Sequence, residues 1–247
     1  MIEASPNRVL DALFFWCMRR ALRRRFAGVL ARGLEHVRTL QPGRAVLVCA
    51  NHSNWWDGFV ARLVGQQIQE LTGKNGRYLM QDETHLRRYP FFSACGVFGI
   101  DQKRPSAGLR YSAHLLKEAK TQLWIFPQGT LLPPNAPLEI RDGAAFLARL
   151  AGTQVLPLAI RYEWLIESKP TILIDIGPPL AGCSCNSHEI KAAMQAQLEA
   201  PRRDLLRHAT PGYTAILPPR MSINRIWDYL WHRLRGKPDR DFRRTNA

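Results

Sequence analysis

Across residues 6–38 apolar positions recur at three- and four-residue steps (Val9, Leu10, Leu13, Phe14, Trp16, Cys17, Ala21, Leu22, Phe26, Val29, Leu30), with Arg19, Arg20, Arg23, Arg24 and Arg25 among them. That spacing predicts one or two amphipathic helices. Aromatic rings on one face and guanidinium groups on the other suit a helix lying in a headgroup layer, where ring burial and attraction to anionic lipid act together. A helix packed on its own domain with a solvated Arg face has the same pattern, but here the apolar residues outnumber what one core-facing stripe needs.

After the turn signal Gln41-Pro42-Gly43, residues 45–50 (AVLVCA) form a short continuous apolar run, as expected of a strand buried on both faces. A helical pattern follows over 55–71 and stops before Gly73. Further strands are predicted at 77–81, 97–101, 123–127, 154–161 and 171–177. Helices are predicted at 106–120, 142–151 and 187–208, the first beginning beside Pro105 and the last beside Asn186 and Ser187. Strands alternating with helices predict an α/β fold with a mostly parallel central sheet flanked by helices. Active sites in such sheets gather at the carboxyl ends of the strands. A second short amphipathic helix is expected at 223–235, carrying Trp227, Tyr229, Leu230, Trp231 and Leu234, before a polar tail from Gly236. The chain therefore divides into a membrane-associating helical segment (1–40), an α/β domain (41–217) and a basic amphipathic tail (218–247).

A chain of 247 residues that is 46% hydrophobic can bury a core, which excludes a disordered chain and a disulfide-stapled miniature. Its formal charge of +15 calls for an anionic partner. Residues 1–38 carry eight Arg against Glu3, Asp11 and Glu35, and residues 218–247 carry eight Arg or Lys against Asp228, Asp239 and Asp241. Each end is thus +5, and the long middle holds only the remaining +5. This charge lies on Trp- and Phe-bearing amphipathic segments, and there is no helix-turn-helix, zinc-finger or RNA-binding signature. A membrane surface with anionic lipids is therefore the expected partner; a nucleic-acid-binding protein is the alternative from another class. Arg or Asp interrupts every apolar stretch before the ~18 residues a spanning helix requires. The N-terminus also lacks a secretory pattern, because Asp11 precedes its apolar core and the basic charge follows it. The expected location is the cytoplasmic face of a membrane, peripheral or monotopic. Cys17, Cys49, Cys95, Cys183 and Cys185 make no regular framework, which favours a reducing compartment. Cys183, Cys185 and His188 offer three ligands without a second pair at zinc-site spacing, so no metal is expected.

The strongest local signal is Asn51-His52-Ser53-Asn54-Trp55-Trp56-Asp57, at a strand end and running into a helix. With His52 in the turn and Asp57 in the first helical turn, the carboxylate can reach one ring nitrogen while the other faces a cleft. That is the geometry of a general base whose carboxylate fixes the tautomer and steadies the imidazolium. The bland alternative is a helix cap beside a core histidine. Ser53 has no Gly-x-Ser-x-Gly elbow to present it as a nucleophile. Trp55 and Trp56 read as packing and pocket-wall residues.

NHSNWWD resembles the first signature block of the phospholipid and glycerolipid acyltransferase family, the group containing glycerol-3-phosphate and lysophosphatidate acyltransferases. Gly96-Val97-Phe98-Gly99-Ile100-Asp101-Gln102 resembles its second block, Phe126-Pro127-Gln128-Gly129-Thr130 its third and Val155-Leu156-Pro157-Leu158 its fourth, in the family's order. The resemblance implies the family's α/β fold and direct transfer of a fatty acyl group, with no acyl-enzyme, from acyl-CoA or acyl carrier protein to a lipid hydroxyl. No permanently bound cofactor is implied; the thioester is a co-substrate. His52 and Asp57 become the catalytic pair. Gln128 and the backbone amides around Gly129 and Thr130 are candidates for positioning the oxyanion, and Asn51, Pro127 and Pro157 are expected to shape the site.

The departures carry information too. The second block usually ends in Arg and the third usually reads Phe-Pro-Glu-Gly-Thr-Arg, so Gln102, Gln128 and Leu131 replace Arg, Glu and Arg. Two cations expected at the acceptor site are gone, and neither Gln nor Leu reproduces a forked Arg–phosphate contact. Either the acceptor lacks a phosphate, or Lys103, Arg104 or Arg141 supplies the charge beside Gln102. A catalytically silent lipid binder of the same fold is a further alternative, opposed by the intact His52 and Asp57.

Overall fold

The computed structural model describes residues 1–165, 167–206 and 212–218, and in the C-terminal segment 227, 230, 231 and 233–235. The chain opens with α1 (Arg8–Arg25), which Asn7 starts by accepting from the Val9 and Leu10 amides at 3.0 and 3.1 Å. β1 (Val29–Arg32), α2 (Leu34–Arg38), β2 (Val46–Ala50), α3 (Asp57–Thr72), β3 (Gly76–Asp82) and α4 (Glu83–Arg88) follow. After a 3-10 turn (Pro90–Cys95) come β4 (Val97–Ile100), α5 (Ser106–Lys117), β5 (Thr121–Ile125), α6 (Gly143–Ala151), β6 (Gln154–Glu163), β7 (Thr171–Ile176), α7 (Ser187–Leu206) and β8 (Thr214–Leu217).

The strands form one eight-stranded sheet in the order β4-β3-β5-β2-β6-β7-β1-β8. From β4 to β6 every neighbour is parallel. β7 then runs antiparallel to β6, β1 parallel to β7 and β8 antiparallel to β1. The mostly parallel α/β architecture is as expected, with a reversed block on one flank. β2 shows why its apolar run is unbroken. Val46, Val48 and Ala50 enter the core with Leu22, Val64 and Ile160 on one face, and Leu47 and Cys49 enter the core with Leu116, Leu147 and Ile190 on the other.

The predicted elements lie within three residues of their expected bounds, with two exceptions in the N-terminal segment and at the C-terminus. Residues 29–32, expected to continue the amphipathic helix, are a strand inside the sheet, paired residue for residue with Ile172, Leu173, Ile174 and Asp175. Gly33 closes it: φ is +84°, and a Cβ there would lie 2.0 Å from the Ile176 carbonyl oxygen, which only glycine accommodates. The first helix therefore ends at Arg25, and Val29–Arg32 joins the same sheet as the 41–217 region before the short α2. α4, the 3-10 turn and β8 were not expected. Of the predicted 223–235 helix, Trp227, Leu230, Trp231, Arg233 and Leu234 are helical and exposed, while the tail from Gly236 lies outside the described residues, as do 207 and 208 at the end of the expected 187–208 helix.

α1 crosses the face of the parallel block. Asp11 accepts from Arg62 of α3 at 2.9 and 2.8 Å and from Arg77 of β3 at 2.6 Å. Phe14 packs on Phe59, Phe91 and Phe92 at centroid distances of 5.7, 5.8 and 5.7 Å. Val9, Leu10, Leu13 and Trp16 on its outer face remain exposed.

Candidate active site

β2 delivers the chain into the Asn51–Asp57 connection at the carboxyl edge of the parallel block. Asn51 is buried and ties the exit of β2 to β6, donating to the Ile160 carbonyl at 3.0 Å and accepting from the Ile160 amide at 2.7 Å. His52 Nδ1 lies 2.8 Å from Asp57 Oδ2. The same oxygen accepts from the Ser53 and Asn54 amides at 2.7 and 2.8 Å, so the carboxylate also organises the turn leading into α3. Asp57 is 0% exposed and His52 26%. A carboxylate only accepts, so Nδ1 carries the proton and Nε2 is the basic nitrogen. The imidazole stacks on Phe126 (4.5 Å between centroids, 19° between planes), which holds the ring against rotation.

His52 opens on a cavity of about 630 Å³ that runs between α3 and β3 beneath Phe14 of α1. Small residues of α3 (Gly58, Ala61, Gly65) make room for it, and Leu79, Phe59, Phe92, Val97 and Trp124 give it apolar walls. Its polar lining includes Gln102, Thr130 and Arg141, linked to the His52 region by their bonds and chain neighbours, and Arg62 and Arg77, clamped by Asp11. Burial, reinforced by the nearby Arg62 charge and opposed by Asp11, lowers the Arg77 pKa from its ordinary value. Burial and the Asp11 charge push the Cys95 thiol up to about 11.

The third block folds around His52. Gln128 Oε1 accepts from the His52 amide at 2.6 Å, and the Leu132 amide donates to the His52 carbonyl at 3.0 Å. Gly129, expected as an oxyanion donor, spends its amide on the Phe126 carbonyl at 3.0 Å to close a turn. Its φ of +71° explains the glycine, and a Cβ there would lie 2.6 Å from Arg141 Nε. The amide of Thr130, next along the cavity wall, is the candidate that remains. Gln102 joins the second and third blocks: its Nε2 donates to the Gly129 carbonyl and its Oε1 accepts from Arg141 Nη1, both at 2.9 Å.

His52, Gln102, Pro127, Gly129, Thr130 and Arg141 line the cavity, with Asp57, Gln128 and Asn51 supporting them from behind. Lys103 and Arg104 do not join them. They occupy an exposed turn where their amides donate to Asp101 Oδ1 and the Asp101 carbonyl, at 2.9 and 3.1 Å. Pro157 also stands apart from the cavity, paired with Cys49 within the sheet. Sequence reasoning missed Tyr162, whose hydroxyl donates to Asp57 Oδ1 at 2.6 Å. It lies 105 positions beyond Asp57 on β6, and no local spacing signals it.

A model of the acyltransferase family matches residues 28–161, more than half of the chain and all four blocks. The chain belongs to the acyltransferase family. It is 24% identical over 169 residues to acl-2 of Caenorhabditis elegans, named provisionally as a 1-acyl-sn-glycerol-3-phosphate acyltransferase; the match covers 66% of this chain and 54% of that protein. The chain thus spans about half the length of that relative. The fold is similar to the crystal structure of the 1-acyl-sn-glycerophosphate (LPA) acyltransferase PlsC from Thermotoga maritima, with a TM-score of 0.56, 20% identity and 79% of each chain covered.

Proposed function

We propose that the protein is an O-acyltransferase that moves a fatty acyl group from an acyl-CoA or acyl-carrier-protein thioester to the hydroxyl of a lysophospholipid-like acceptor at a membrane surface. His52 Nε2 takes the hydroxyl proton as the acceptor oxygen attacks the thioester carbonyl carbon. The tetrahedral oxyanion collapses, the carbon–sulfur bond breaks, and the leaving thiolate takes the proton from the imidazolium, which Asp57 has stabilised meanwhile. The carrying observation is the 2.8 Å contact between a fully buried Asp57 and His52, which lines a largely apolar cavity of about 630 Å³. Hydrocarbon enters such a cavity without leaving polar groups unpaired.

Arg141 favours a phosphate-bearing acceptor. Its guanidinium lies over Gly129 and bonds Gln102, on the cavity that His52 lines, so it supplies a cation where the Gln102 and Leu131 replacements removed two. Membrane docking is supported by the exposed Val9, Leu10, Leu13 and Trp16 of α1, with Trp55 and Phe91 also exposed, and by the basic last turn of that helix. No helix among the described residues is long and apolar enough to cross a membrane; the proposed arrangement is peripheral or monotopic, at the cytoplasmic face.

The test is thiol release by the purified full chain on anionic phospholipid vesicles. Acyl-CoA and acyl carrier protein serve as donors, with lysophosphatidate and monoacylglycerol offered separately. Lysophosphatidate is esterified by the parent and not by His52→Ala. In Arg141→Ala the KM for lysophosphatidate rises by about tenfold. Full activity in His52→Ala would remove the mechanism, and an unchanged lysophosphatidate KM in Arg141→Ala, or an equal rise for monoacylglycerol, would remove the phosphate contact.

A further inference from the structure

We infer that Tyr162 is a positioning residue of the catalytic pair, its hydroxyl holding the second oxygen of Asp57 and so setting the orientation and basicity of His52. The inference rests on the proposed role of His52 in acyl transfer. Asp57 Oδ2 is occupied by the His52 ring and by the Ser53 and Asn54 amides, all from one turn. Those partners all lie within five residues of Asp57, so they fix the carboxylate only relative to its own turn. The bond from Tyr162 to Oδ1, at 2.6 Å, pins the other corner from a different strand.

The phenol is itself well placed. Its ring lies 5.7 Å from that of Phe26, which meets Trp56 edge-on at 5.5 Å, so Tyr162 is braced by the residue that follows α1 and by the neighbour of Asp57. Burial, and then the negative charge of Asp57, hold its pKa far above the ordinary phenol range. Tyr162 is therefore a neutral donor throughout the working pH range.

A donor to a carboxylate draws charge away from it. Without that donor, Asp57 stabilises the imidazolium more strongly, and His52 stays protonated, and inactive as a base, to higher pH. The loosened carboxylate also aligns the ring less well, lowering the plateau rate. A tyrosine that merely packs against Phe26 predicts neither effect when phenylalanine replaces it. Arg62, Arg77, Tyr78, Asp82, His85, Cys95 and Arg141 are the other ionisable groups lining the cavity, and the substitution changes none of them.

The experiment compares Tyr162→Phe with the parent in the full chain on the same vesicles. Expected are a plateau kcat lower by about three- to tenfold, an unchanged KM for the acyl donor, and an acid limb of kcat/KM moved several tenths of a pH unit upward. The His52 imidazole, followed by nitrogen NMR without substrate, titrates with the same upward displacement. In the Asp57→Asn background the substitution costs nothing further, because its effect passes through the carboxylate. Superimposable pH profiles, or a full additional loss in the Asp57→Asn background, overturn the role of Tyr162. If His52→Ala is inactive while Tyr162→Phe matches the parent, only this inference is lost. An active His52→Ala sinks the proposed function itself.

Discussion

Asp57 follows the carboxyl end of β2, and Asp175 lies near the carboxyl end of β7, which runs the opposite way, so two buried carboxylates point toward opposite edges of one sheet. Both accept from a tyrosine hydroxyl, Tyr162 for the first and Tyr213 for the second. They differ in the base they face. Asp57 meets an imidazole, whereas Asp175 meets the Arg32 guanidinium at 2.7 and 2.5 Å. An imidazole takes and returns a proton near neutral pH, and a guanidinium does not. Their surroundings differ as well: Asp57 stands behind an apolar cavity, and Asp175 lines a polar hollow of about 370 Å³ with Glu35, His36 and Arg203. Burial and satisfied hydrogen bonds therefore do not mark a catalytic carboxylate. In the proposed mechanism Asp57 is set apart by its imidazole partner and the apolar cavity beside it.

Substitutions can break this contrast. Asp57→Asn has the largest expected effect, a fall in turnover of about 10²- to 10⁴-fold, because an amide cannot hold Nδ1 in the donating tautomer. Steady-state rates per folded molecule, beside a circular-dichroism melt, check it; the melt also falls, because the amide turns one of two buried accepting corners into a donor. Asp175→Asn reverses the balance: activity per folded molecule is retained, while urea unfolding shows a loss of about 1–3 kcal/mol as Arg32 keeps its charge beside a neutral group. Arg32 is 24% exposed, so solvent screens part of that loss. A stable but inactive Asp175→Asn protein would erase the distinction. Gly129→Ala sharpens it with the smallest effect: the left-handed backbone adds about 1–2 kcal/mol of strain. The methyl group also displaces Arg141, so acceptor KM rises while kcat for bound substrate holds.

Much of the catalytic edge was legible because its parts are short and local. His52 and Asp57 share one turn, and the third block wraps back onto His52 through Gln128. What crosses long stretches of chain was not legible. Tyr162 reaches Asp57 from β6, and Asp11 reaches Arg77 across 66 positions. The strand Val29–Arg32 was hidden because VLAR continues the apolar spacing of the preceding helix; Gly28 and Gly33 on either side were the available punctuation. Lys103 and Arg104 looked like acceptor ligands from proximity to Gln102, but the Asp101 turn directs that stretch to solvent, and Arg141 arrives from another loop. Gly129 matched its block correctly while its amide was already spent, since a motif gives residue type and not the direction of an N–H.

Phe14 and the Asp11 clamp extend the cavity wall beyond the region that the family model matches. The family match starts at residue 28, yet Phe14, which lines the cavity with His52, belongs to the helix before it. In this chain the matched region alone would leave that part of the apolar wall open. The helix that completes it is also the one that presents Trp16 and Leu13 outward.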